Sequence, residues 1–347
     1  MKKANKPYLL ETMLLGSSLD NLSKFGSAQR ELQYYDQINE RFEVILFEYS
    51  KPISGENYKT IPNLSTNKWV NSVAAPLFHA YRIKGYGVVR SKQLWGSWSA
   101  WIFSKLRRKK FVLRCGYIWS RSVFHEHPTL HPIARWAILQ LEMILVKSAD
   151  ALIYGSTDIE NHYRNFNNKP SVVIPNGFDT DRFCTMPDVH KDYDFIYTGR
   201  LVPLKGIKCM LVMVGTRTLI VAGSGPLTTM VSEKSNVTYL GVVPNQNLPN
   251  VLCRAKFFIS MSTTEGSPKC LIEAILCGLY PVLSDIPAHR LLVEELGYGL
   301  LLDNSQSLGD DLGKLIVNYE KLEIFKERYS MPSIVSKEVS FCEQFVQ

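Results

Sequence analysis

Two glutamates separated by seven residues mark the part of the sequence with the most chemical potential. Glu265 stands in a loop, and Glu273 lies about two turns inside the helical apolar pattern that follows, formed by Leu271, Ile272 and Ile275. Ionised carboxylates accept hydrogen bonds, so two that face one cleft suit the hydroxyl groups of a sugar or a ribose. Glu273 could equally be a solvated helix residue, and residue type alone does not decide between these alternatives.

The helix that carries Glu273 is predicted to begin at an anion-binding end. Ser267 is a favoured N-cap residue, Pro268 suits the first helical position, and Gly278 closes the helix. A strand pattern directly precedes this helix. Free N–H groups and the helix dipole at such a position attract a negatively charged ligand.

Two further strand ends carry residues that suit a diphosphate. One strand pattern ends at Gly199 and is followed by Arg200 and, five residues later, by Lys205. A guanidinium and an ammonium together match the charge and oxygen geometry of a diphosphate. The turn GSGPL contains Gly223 and Gly225, which allow a ligand to approach the backbone closely, but it lacks the third glycine of a GxGxxG fingerprint.

These residues belong to two series of alternating strands and helices. In the first half, strands are predicted over 8–15, 43–49, 85–91, 110–118 and 149–156, and helices over 30–42, 98–109 and 132–148. In the second half, strands are predicted over 194–200, 218–225, 237–243, 255–262 and 279–285. Such alternation predicts parallel sheets with crossover helices, an α/β fold that binds ligands at the carboxyl ends of its strands.

The length of 347 residues predicts two domains, because a single core stops growing near about 250 to 300 residues. Asn, Pro and Gly punctuate the segment 165–183, so we place the boundary there and assign residues 1–171 to the first domain and 172–330 to the second. The tail is mostly helical by pattern and is broken at Met331-Pro332. Residues 331–347 are therefore treated as a separate helix.

Composition excludes several classes of protein. Hydrophobic residues make up 46% and charged residues 21% of the chain, which disfavours collagen-like, disordered and coiled-coil proteins. No CxxC pair occurs, and we expect a reducing, cytoplasmic location. The apolar stretch 8–15 is interrupted by Glu11, so it makes a poor signal peptide. No run reaches the roughly 18 apolar residues that would span a bilayer, and any membrane contact should be peripheral.

Positive charge is concentrated in the first half of the chain. Residues 1–171 hold 24 basic and 13 acidic side chains, against 16 and 19 in residues 172–347. A basic half suggests a phosphate-bearing ligand, a nucleic acid or an anionic membrane. The segment 105–114 is either the solvated end of a helix or a contact with an anionic bilayer or lipid-diphosphate acceptor, near Trp95, Trp98, Trp101 and Trp119. A non-catalytic protein that binds nucleic acid or membrane is the alternative, although no nucleic-acid-binding signature accompanies this segment.

Taken together, the motifs resemble those of a known enzyme family. The E-x7-E pair, Arg200 with Lys205, the box PNGFD (175–179), GSGPL and YLGVV (239–243) occur in the order typical of retaining GT-B glycosyltransferases of family 4, the glycogen-synthase-like glycosyl transferases group 1. The resemblance covers the second half well and the first half only in pattern. It implies two Rossmann-like, doubly wound domains that face a central cleft, an acceptor-side first domain and a final helix that crosses back to it.

The resemblance also implies roles for individual residues. Arg200 and Lys205 would bind the donor diphosphate, Glu273 the ribose, and Glu265 the sugar hydroxyls near the reacting carbon. Arg200, Lys205 and Glu265 would be the catalytic groups. Further donor contacts are expected from Gly266, Ser267, Pro268, Lys269, Gly26, Ser27, Gly223, Gly225 and Val242.

The sequence departs from the family pattern on the acceptor side. The family often has an aromatic residue where this chain has Ser267, and its first-domain histidine is missing after the strand pattern at 112–114. Arg114, Tyr117, His125 or His127 would therefore line the acceptor side.

The implied reaction moves a sugar, with retention of configuration, from a nucleotide-diphosphate sugar to a hydroxyl of a saccharide or lipid-linked acceptor, as in surface polysaccharide synthesis. Arg200 and Lys205 would stabilise the leaving diphosphate without a metal ion. Two D-x-D triplets, at 179–181 and 192–194, could instead hold a metal, but aspartates beside turns commonly cap backbone groups. A nucleotide-sugar epimerase of the same fold would use the same donor contacts and need no acceptor. The base, sugar and acceptor stay open.

Overall fold

The computed structural model describes residues 6–13, 28–48, 58–303 and 308–346. The chain divides into a first unit, Met1–Gly177 with Met331–Gln347, and a second unit, Phe178–Ser330. The junction lies a few residues beyond the predicted boundary at 171, because the strand Ser171–Val173 pairs with Ala151–Tyr154 and so completes the first sheet.

The first unit contains a parallel sheet with seven strands in the described residues, in the order β3-β2-β1-β4-β5-β6-β7. Its strands are β1 (Tyr8–Thr12), β2 (Glu43–Phe47), β3 (Tyr58–Thr60), β4 (Tyr86–Ser91), β5 (Lys110–Cys115), β6 (Ala151–Tyr154) and β7 (Ser171–Val173). The apolar runs that predicted β1, β2, β4, β5 and β6 are almost wholly buried on both faces, as expected for a parallel sheet covered by helices. The short strand β3 was not predicted.

Helices connect the parallel strands of this sheet. They are α1 (Ala28–Ile38), α2 (Lys68–His79), α3 (Trp98–Arg107), α4 (Trp119–Glu126), α5 (Pro132–Ser148) and α6 (Thr157–Tyr163). Helix α5 begins and ends at the predicted residues. Its first residue, Pro132, lacks an N–H that would be unpaired at this position, and the His131 ring accepts a hydrogen bond from the Ile133 N–H.

The second unit contains a parallel sheet of its own, in the order β10-β9-β8-β11-β12-β13. Its strands are β8 (Tyr193–Thr198), β9 (Leu219–Ala222), β10 (Val237–Gly241), β11 (Ala255–Ser260), β12 (Tyr280–Ser284) and β13 (Leu300–Leu302). Its helices are α7 (Ile207–Val214), α8 (Thr228–Ser232), α9 (Leu248–Leu252), α10 (Lys269–Leu276), α11 (Pro287–Leu296) and α12 (Tyr319–Tyr329). The alternation predicted for this half is confirmed, with β13 as an additional edge strand.

The last helix, α13 (Met331–Glu343), belongs to the first unit. Helix α12 ends before Ser330 and α13 begins at Met331. Pro332 therefore lies in the first turn of α13, where proline is tolerated. Ile334, Val335 and Val339 are buried in the same hydrophobic cluster as residues of β1, β4 and β5. Helix α13 therefore forms part of the core of the first unit.

A buried ionic network fixes α13 to the strands. Arg90 of β4 pairs with Glu11 of β1 and also, at 3.0 Å, with Glu338 of α13. Arg114 of β5 donates from Nε to the second oxygen of Glu338 at 2.9 Å, and the Tyr34 hydroxyl donates to the same carboxylate. Burial alone raises the pKa of Glu338, but the guanidiniums of Arg114 and Arg90 outweigh it and hold that pKa below its usual value.

Candidate active site

The predicted donor-binding residues meet at the carboxyl ends of two neighbouring strands. Arg200 follows β8 and Glu265 follows β11, and these strands are adjacent in the second sheet. Lys205 ends a short 3-10 turn, Pro203–Lys205. A cavity of about 500 Å3 lies here, lined by Tyr197, Thr198, Gly199, Arg200, Lys205, Phe258, Ser260, Glu265, Ser267, Pro268, Lys269, Cys270 and Leu271. The structure thus brings together six of the predicted site residues.

Lys205 and Glu265 form a largely buried ion pair beside this cavity. The Lys205 Nζ lies 2.5 Å from Glu265 Oε1, and the two side chains are 21% and 11% exposed. The Ser262 hydroxyl donates to the same carboxylate oxygen at 2.7 Å. Both donors are on Oε1 of Glu265, and within the described residues Oε2 is left to accept from a ligand hydroxyl.

A glycine allows the two loops that carry this ion pair to touch. Gly206 has φ +63°, and a Cβ on it would lie 1.8 Å from the carbonyl oxygen of Met261. Thr263 N–H donates to the Leu204 carbonyl at 3.0 Å across the same contact. Only glycine tolerates both this conformation and this closeness, so Gly206 sets the position of the neighbouring Lys205.

A series of buried serine hydroxyl groups supports the loop that carries Glu265. Ser262 Oγ lies 3.1 Å from Ser260 Oγ, and the Ser284 hydroxyl donates to the Ser262 carbonyl at 2.6 Å. His289, which is fully buried on α11, donates from Nδ1 to the Ser284 carbonyl at 2.9 Å. These residues were missed by the sequence analysis. Serines at the ends of two adjacent buried strands were the available signal for Ser260 and Ser284.

His289 is unusual because one of its ring nitrogens is unsatisfied. Within the described part of the chain, its buried Nε2 has no hydrogen-bond partner. Burial lowers the pKa of His289, with Glu265 and Lys205 acting on it in opposite directions. Burial therefore disfavours the charged imidazolium form of His289. In the sequence, His289 is a single histidine inside an apolar helical pattern. Such a pattern does not predict that the ring is buried next to the site.

The start of α10 differs from the prediction by one residue. The helix begins at Lys269 with Pro268 as its N-cap, whose side chain makes no capping hydrogen bond. Ser267 was predicted as the N-cap, and this is wrong because Pro268 has ψ 78°, outside the helical region. The Ser267 carbonyl instead accepts a hydrogen bond from Lys269 N–H at 2.9 Å. Gly278, at φ +77°, closes the helix as predicted.

Glu273 lies on α10 but is not a solvated helix residue. It is only 5% exposed, between buried Ile272 and Ala274. It is not one of the residues that line the cavity described above. The structure therefore rules out the solvated alternative for Glu273, and its contact with a ribose stays a prediction.

The glycines of the GSGPL turn allow neighbouring loops to pack. A Cβ on Gly223, at φ +146°, would lie 1.8 Å from the Gly199 carbonyl oxygen, and one on Gly225 would lie 2.4 Å from the Leu201 carbonyl oxygen. These close approaches hold the chain around Arg200 against the end of β9. The observed approach is thus between backbone segments, and an approach to a ligand stays a prediction.

The remaining predicted donor contacts have varied positions. Val242 follows β10 and is 64% exposed, and Gly266 lies beside Glu265 in the same loop. Gly26 and Ser27 lie outside the described residues. Their proposed roles toward the donor stay predictions.

Arg114, predicted on the acceptor side, is largely buried. Its side chain is 8% exposed, pairs with Glu338 and donates to the side-chain oxygen of Asn176 at 3.2 Å. Arg114 therefore contributes to the core of the first unit, and its contact with an acceptor stays a prediction. Tyr117 is partly buried against the core of that unit, whereas His125 and His127 are exposed at the end of α4.

Asp179 and Asp194, one from each D-x-D triplet, have protein partners. Asp179 accepts a hydrogen bond from Arg182 N–H at 3.2 Å. Asp194 accepts from the N–H and hydroxyl of Thr218 and pairs with Lys256 at 3.2 Å. Contacts of this kind to backbone N–H groups are the alternative to metal binding for these aspartates. The expectation that the reaction needs no metal stays a prediction.

The part of the sequence that forms this cavity is similar to a known protein family. Residues 192–318, which contain the cavity, match the family described as glycosyl transferases group 1. A GDP-mannose:cellobiosyl-diphosphopolyprenol alpha-mannosyltransferase of Xanthomonas campestris is 29% identical over 161 residues, which are 41% of this chain and 42% of that protein. The chain spans about half the length of the curated relatives it matches.

Solved structures show the same fold over nearly the whole chain. Sucrose-phosphate synthase from Thermosynechococcus elongatus has a TM-score of 0.75 and 17% identity, covering 97% of this chain and 98% of that one. Anabaena HepE in complex with UDP-glucose has a TM-score of 0.71 and 16% identity, covering 97% and 100%. The fold is therefore GT-B, with two Rossmann-like units. None of the helices in the described ranges combines the length and apolar character needed to cross a bilayer.

Proposed function

We propose that this protein is a retaining glycosyltransferase of family 4 that moves a sugar from a nucleotide-diphosphate sugar to a hydroxyl acceptor. The observation that carries the proposal is the convergence of Arg200, Lys205, Glu265 and the start of α10 on one cavity of about 500 Å3. Cationic side chains suit the diphosphate, and the carboxylate suits the sugar hydroxyls.

Charge on the leaving group decides the roles of these residues. The bond from the anomeric carbon to the diphosphate oxygen breaks, and negative charge develops on the phosphate. Arg200 and Lys205 stabilise that charge from fixed positions. Lys205 has three N–H donors, so it can bind a phosphate oxygen while one donor stays with Glu265.

Glu265 acts on the sugar in this proposal. Its carboxylate accepts hydrogen bonds from sugar hydroxyls and stabilises the positive character of the anomeric carbon. The acceptor oxygen attacks from the face of the leaving group, and its proton passes to the departing phosphate oxygen. Configuration at the anomeric carbon is thereby retained, and atoms and charges balance without a further reactant.

Similar proteins support the substrate classes. HepE was solved with UDP-glucose, and the Xanthomonas enzyme is named for a GDP-mannose donor and a diphosphopolyprenol-linked acceptor. We therefore propose a nucleotide-diphosphate sugar as donor and a saccharide or lipid-diphosphate-linked acceptor, in the synthesis of a surface polysaccharide.

A screen of nucleotide sugars by thermal unfolding tests the donor site. A donor at 100 times its dissociation constant raises the free energy of unfolding by about 2.7 kcal/mol. The stabilising donor is then incubated with and without saccharide acceptors. Consumption that requires an acceptor, with retained anomeric configuration by NMR, supports the transferase, whereas consumption without an acceptor identifies an epimerase or hydrolase. Absence of stabilisation by every nucleotide sugar would contradict the proposed site.

A further inference from the structure

Helix α2 and the turn after it expose their large apolar side chains. The exposed residues are Trp69 (51%), Val70 (48%), Val73 (47%), Leu77 (52%), Phe78 (44%) and Tyr81 (60%). Trp69, Val73 and Leu77 recur every fourth residue and so share one face of the helix, and Tyr81 follows at the same spacing in the turn after it. A continuous apolar face that is exposed to solvent marks an interaction site.

The opposite face of α2 is buried although its residues are small or polar. They are Asn71, Ser72, Ala75, Pro76 and His79. The Asn71 side chain accepts from the N–H groups of Leu64 and Ser65 at 3.0 and 2.9 Å, and the Ser99 hydroxyl of α3 donates to the Ser72 carbonyl at 2.5 Å. These buried hydrogen bonds fix the rotation of α2, so the protein holds the apolar face outward.

Cationic side chains border this face. The Arg82 guanidinium lies 3.7 Å from the centre of the Phe78 ring, and that of Arg107 lies 5.9 Å from the centre of the Tyr81 ring. Lys68, at the start of the helix, and Lys84, beyond its end, are also exposed. Cations stacked on the outer aromatic rings place positive charge beside the apolar surface.

The sequence around α2 has no compensating negative charge. Residues 57–125 contain 13 Lys and Arg residues and no Asp or Glu. Arg90 and Arg114 of this set are buried with carboxylates from other segments. Lys59, Lys92, Lys110 and Arg121 also pair with carboxylates from outside this stretch. The cations that border α2 itself are Lys68, Arg82, Lys84 and Arg107, and none of them has an acidic residue near it in the sequence.

We propose that the exposed face of α2, with its basic border, docks the protein on an anionic lipid bilayer. Aromatic and aliphatic side chains would enter the interface between headgroups and acyl chains, and the cations would contact anionic headgroups. The aliphatic members of the face, Val70, Val73 and Leu77, favour lipid over nucleic acid, which is bound through phosphates and by stacking on aromatic rings. A second copy of this chain would bring two positive surfaces together.

This surface differs from the segment 105–114 predicted for membrane contact. Phe111 to Arg114 lie in buried strand β5, so only the start of that segment reaches solvent. Trp95, Trp98 and Trp119 pack together as an aromatic cluster and are not exposed. Trp69 of α2 packs on Trp95 and Trp98 and is the member of this group that reaches solvent on the α2 face. Helix α2 was not predicted from the sequence.

Vesicle flotation tests the proposal without any sugar donor. The whole protein is mixed with vesicles of phosphatidylcholine alone or of equal parts phosphatidylcholine and phosphatidylglycerol, at low and high salt. We expect flotation with the anionic vesicles only, weakened by salt. Arg82→Ser with Lys84→Ser should lower the partition coefficient about fivefold for each cation removed, and Trp69→Ser with Leu77→Ser should lower it about tenfold or more.

Matched variants separate this surface from general charge and hydrophobicity. Lys169→Ser with Lys234→Ser removes two exposed cations elsewhere, and Val212→Ser removes an apolar side chain that is 79% exposed in the second unit. Both controls should float like the parent protein. Quenching of tryptophan fluorescence by brominated lipid, reduced in Trp69→Phe, gives a second measurement with a variant that keeps an aromatic ring against Trp95 and Trp98.

Several results would overturn the proposal. They are no flotation of the parent protein, equal flotation with neutral vesicles, or α2 variants that float like the parent. Retention of an oligonucleotide without vesicle binding would assign the surface to nucleic acid. A dimer in sedimentation that is lost in the α2 variants, again without vesicle binding, would assign it to a second copy.

Discussion

Lys205 Nζ and Glu265 Oε1 lie 2.5 Å apart although 60 residues separate them in the chain. The pair joins the loops that follow two adjacent strands, β8 and β11. Because both side chains are mostly buried, each charge is held by its partner even without a ligand. The site is therefore arranged before a donor arrives, which is the arrangement that electrostatic stabilisation of a leaving group requires.

Substitution of Lys205 tests whether this ammonium binds the donor. Lys205→Ala should weaken binding of the stabilising nucleotide sugar by about tenfold to a hundredfold, because a hydrogen bond to a charged group contributes about 1.5–3 kcal/mol. Isothermal titration measures the dissociation constant. Lys208→Ala removes an exposed lysine three residues further along and should bind as the parent does. Equal affinities of the two variants would remove Lys205 from the site.

Gly206 and Gly297 form a natural pair for a test of loop contact. Both are left-handed, with φ +63° and ψ 29° at Gly206 and φ +76° and ψ 7° at Gly297. A Cβ would strike Met261 at Gly206 but would meet only the Lys321 side chain, at 3.7 Å, at Gly297. Gly297→Ala should cost about 1–2 kcal/mol of unfolding free energy from backbone strain alone. Gly206→Ala should cost more and also weaken donor binding, because it displaces the turn that carries Lys205. Denaturant unfolding and titration measure the two effects, and similar losses in both variants would contradict the contact.

His289 predicts a dependence of stability on pH. Its pKa is lowered in the folded state from the ordinary 6.5, so the unfolded chain binds a proton more readily. The contribution of neutral His289 is present above about pH 6.5 and is lost as the pH falls below it. His289→Gln should flatten this acid-side loss in thermal unfolding measured across that range. His127→Gln, at an exposed histidine, should follow the parent profile, and a parent-like profile in His289→Gln would refute the assignment.

Helix α13 carries two glutamates in contrasting environments. Glu338 is 1% exposed between Arg90 and Arg114, whereas Glu343 pairs with Arg41 at the surface. Glu338→Gln should cost about 3 kcal/mol or more, since it leaves buried cations less compensated. Glu343→Gln should change stability by no more than about 1 kcal/mol. Urea unfolding compares the two variants, and a cost as small for Glu338→Gln as for Glu343→Gln would mean that the network adds nothing.

The same network predicts acid sensitivity. The pKa of Glu338 is held below its usual 4.5, so its ionised form stabilises the fold above about pH 4.5. This contribution is lost as the pH falls through the lowered pKa of the folded state. The parent protein should therefore lose more stability than Glu338→Gln on acidification below about pH 4.5.

The parallel strands could be predicted because each one is a short apolar run that ends in a turn. The segment 255–260 is such a run, and β11 occupies it. Helix α2 could not be predicted in the same way. Its large apolar residues face outward and its buried face carries Asn71 and Ser72, so the usual apolar pattern of a core-facing helix is reversed.

The charged residues of the site could be predicted because their types and their spacing from a strand are visible within short segments of the sequence. Arg200, Lys205 and Glu265 follow recognisable strand patterns, and the parallel sheet brings the ends of those strands together. The support beneath them depends on contacts between segments far apart in sequence. The sequence gives no sign that Ser262, Ser284 and His289 act together, because their contacts form only when β11, β12 and α11 pack side by side.

The position of α13 also orders events during synthesis of the chain. The second unit is complete once Ser330 has left the ribosome, whereas the sheet of the first unit still lacks Ile334, Val335 and Val339. Strands made early must wait with part of their apolar surface uncovered until the last helix emerges. Of the two described units, we expect the one whose strands are made first to complete its core second, with apolar surface uncovered in the interval.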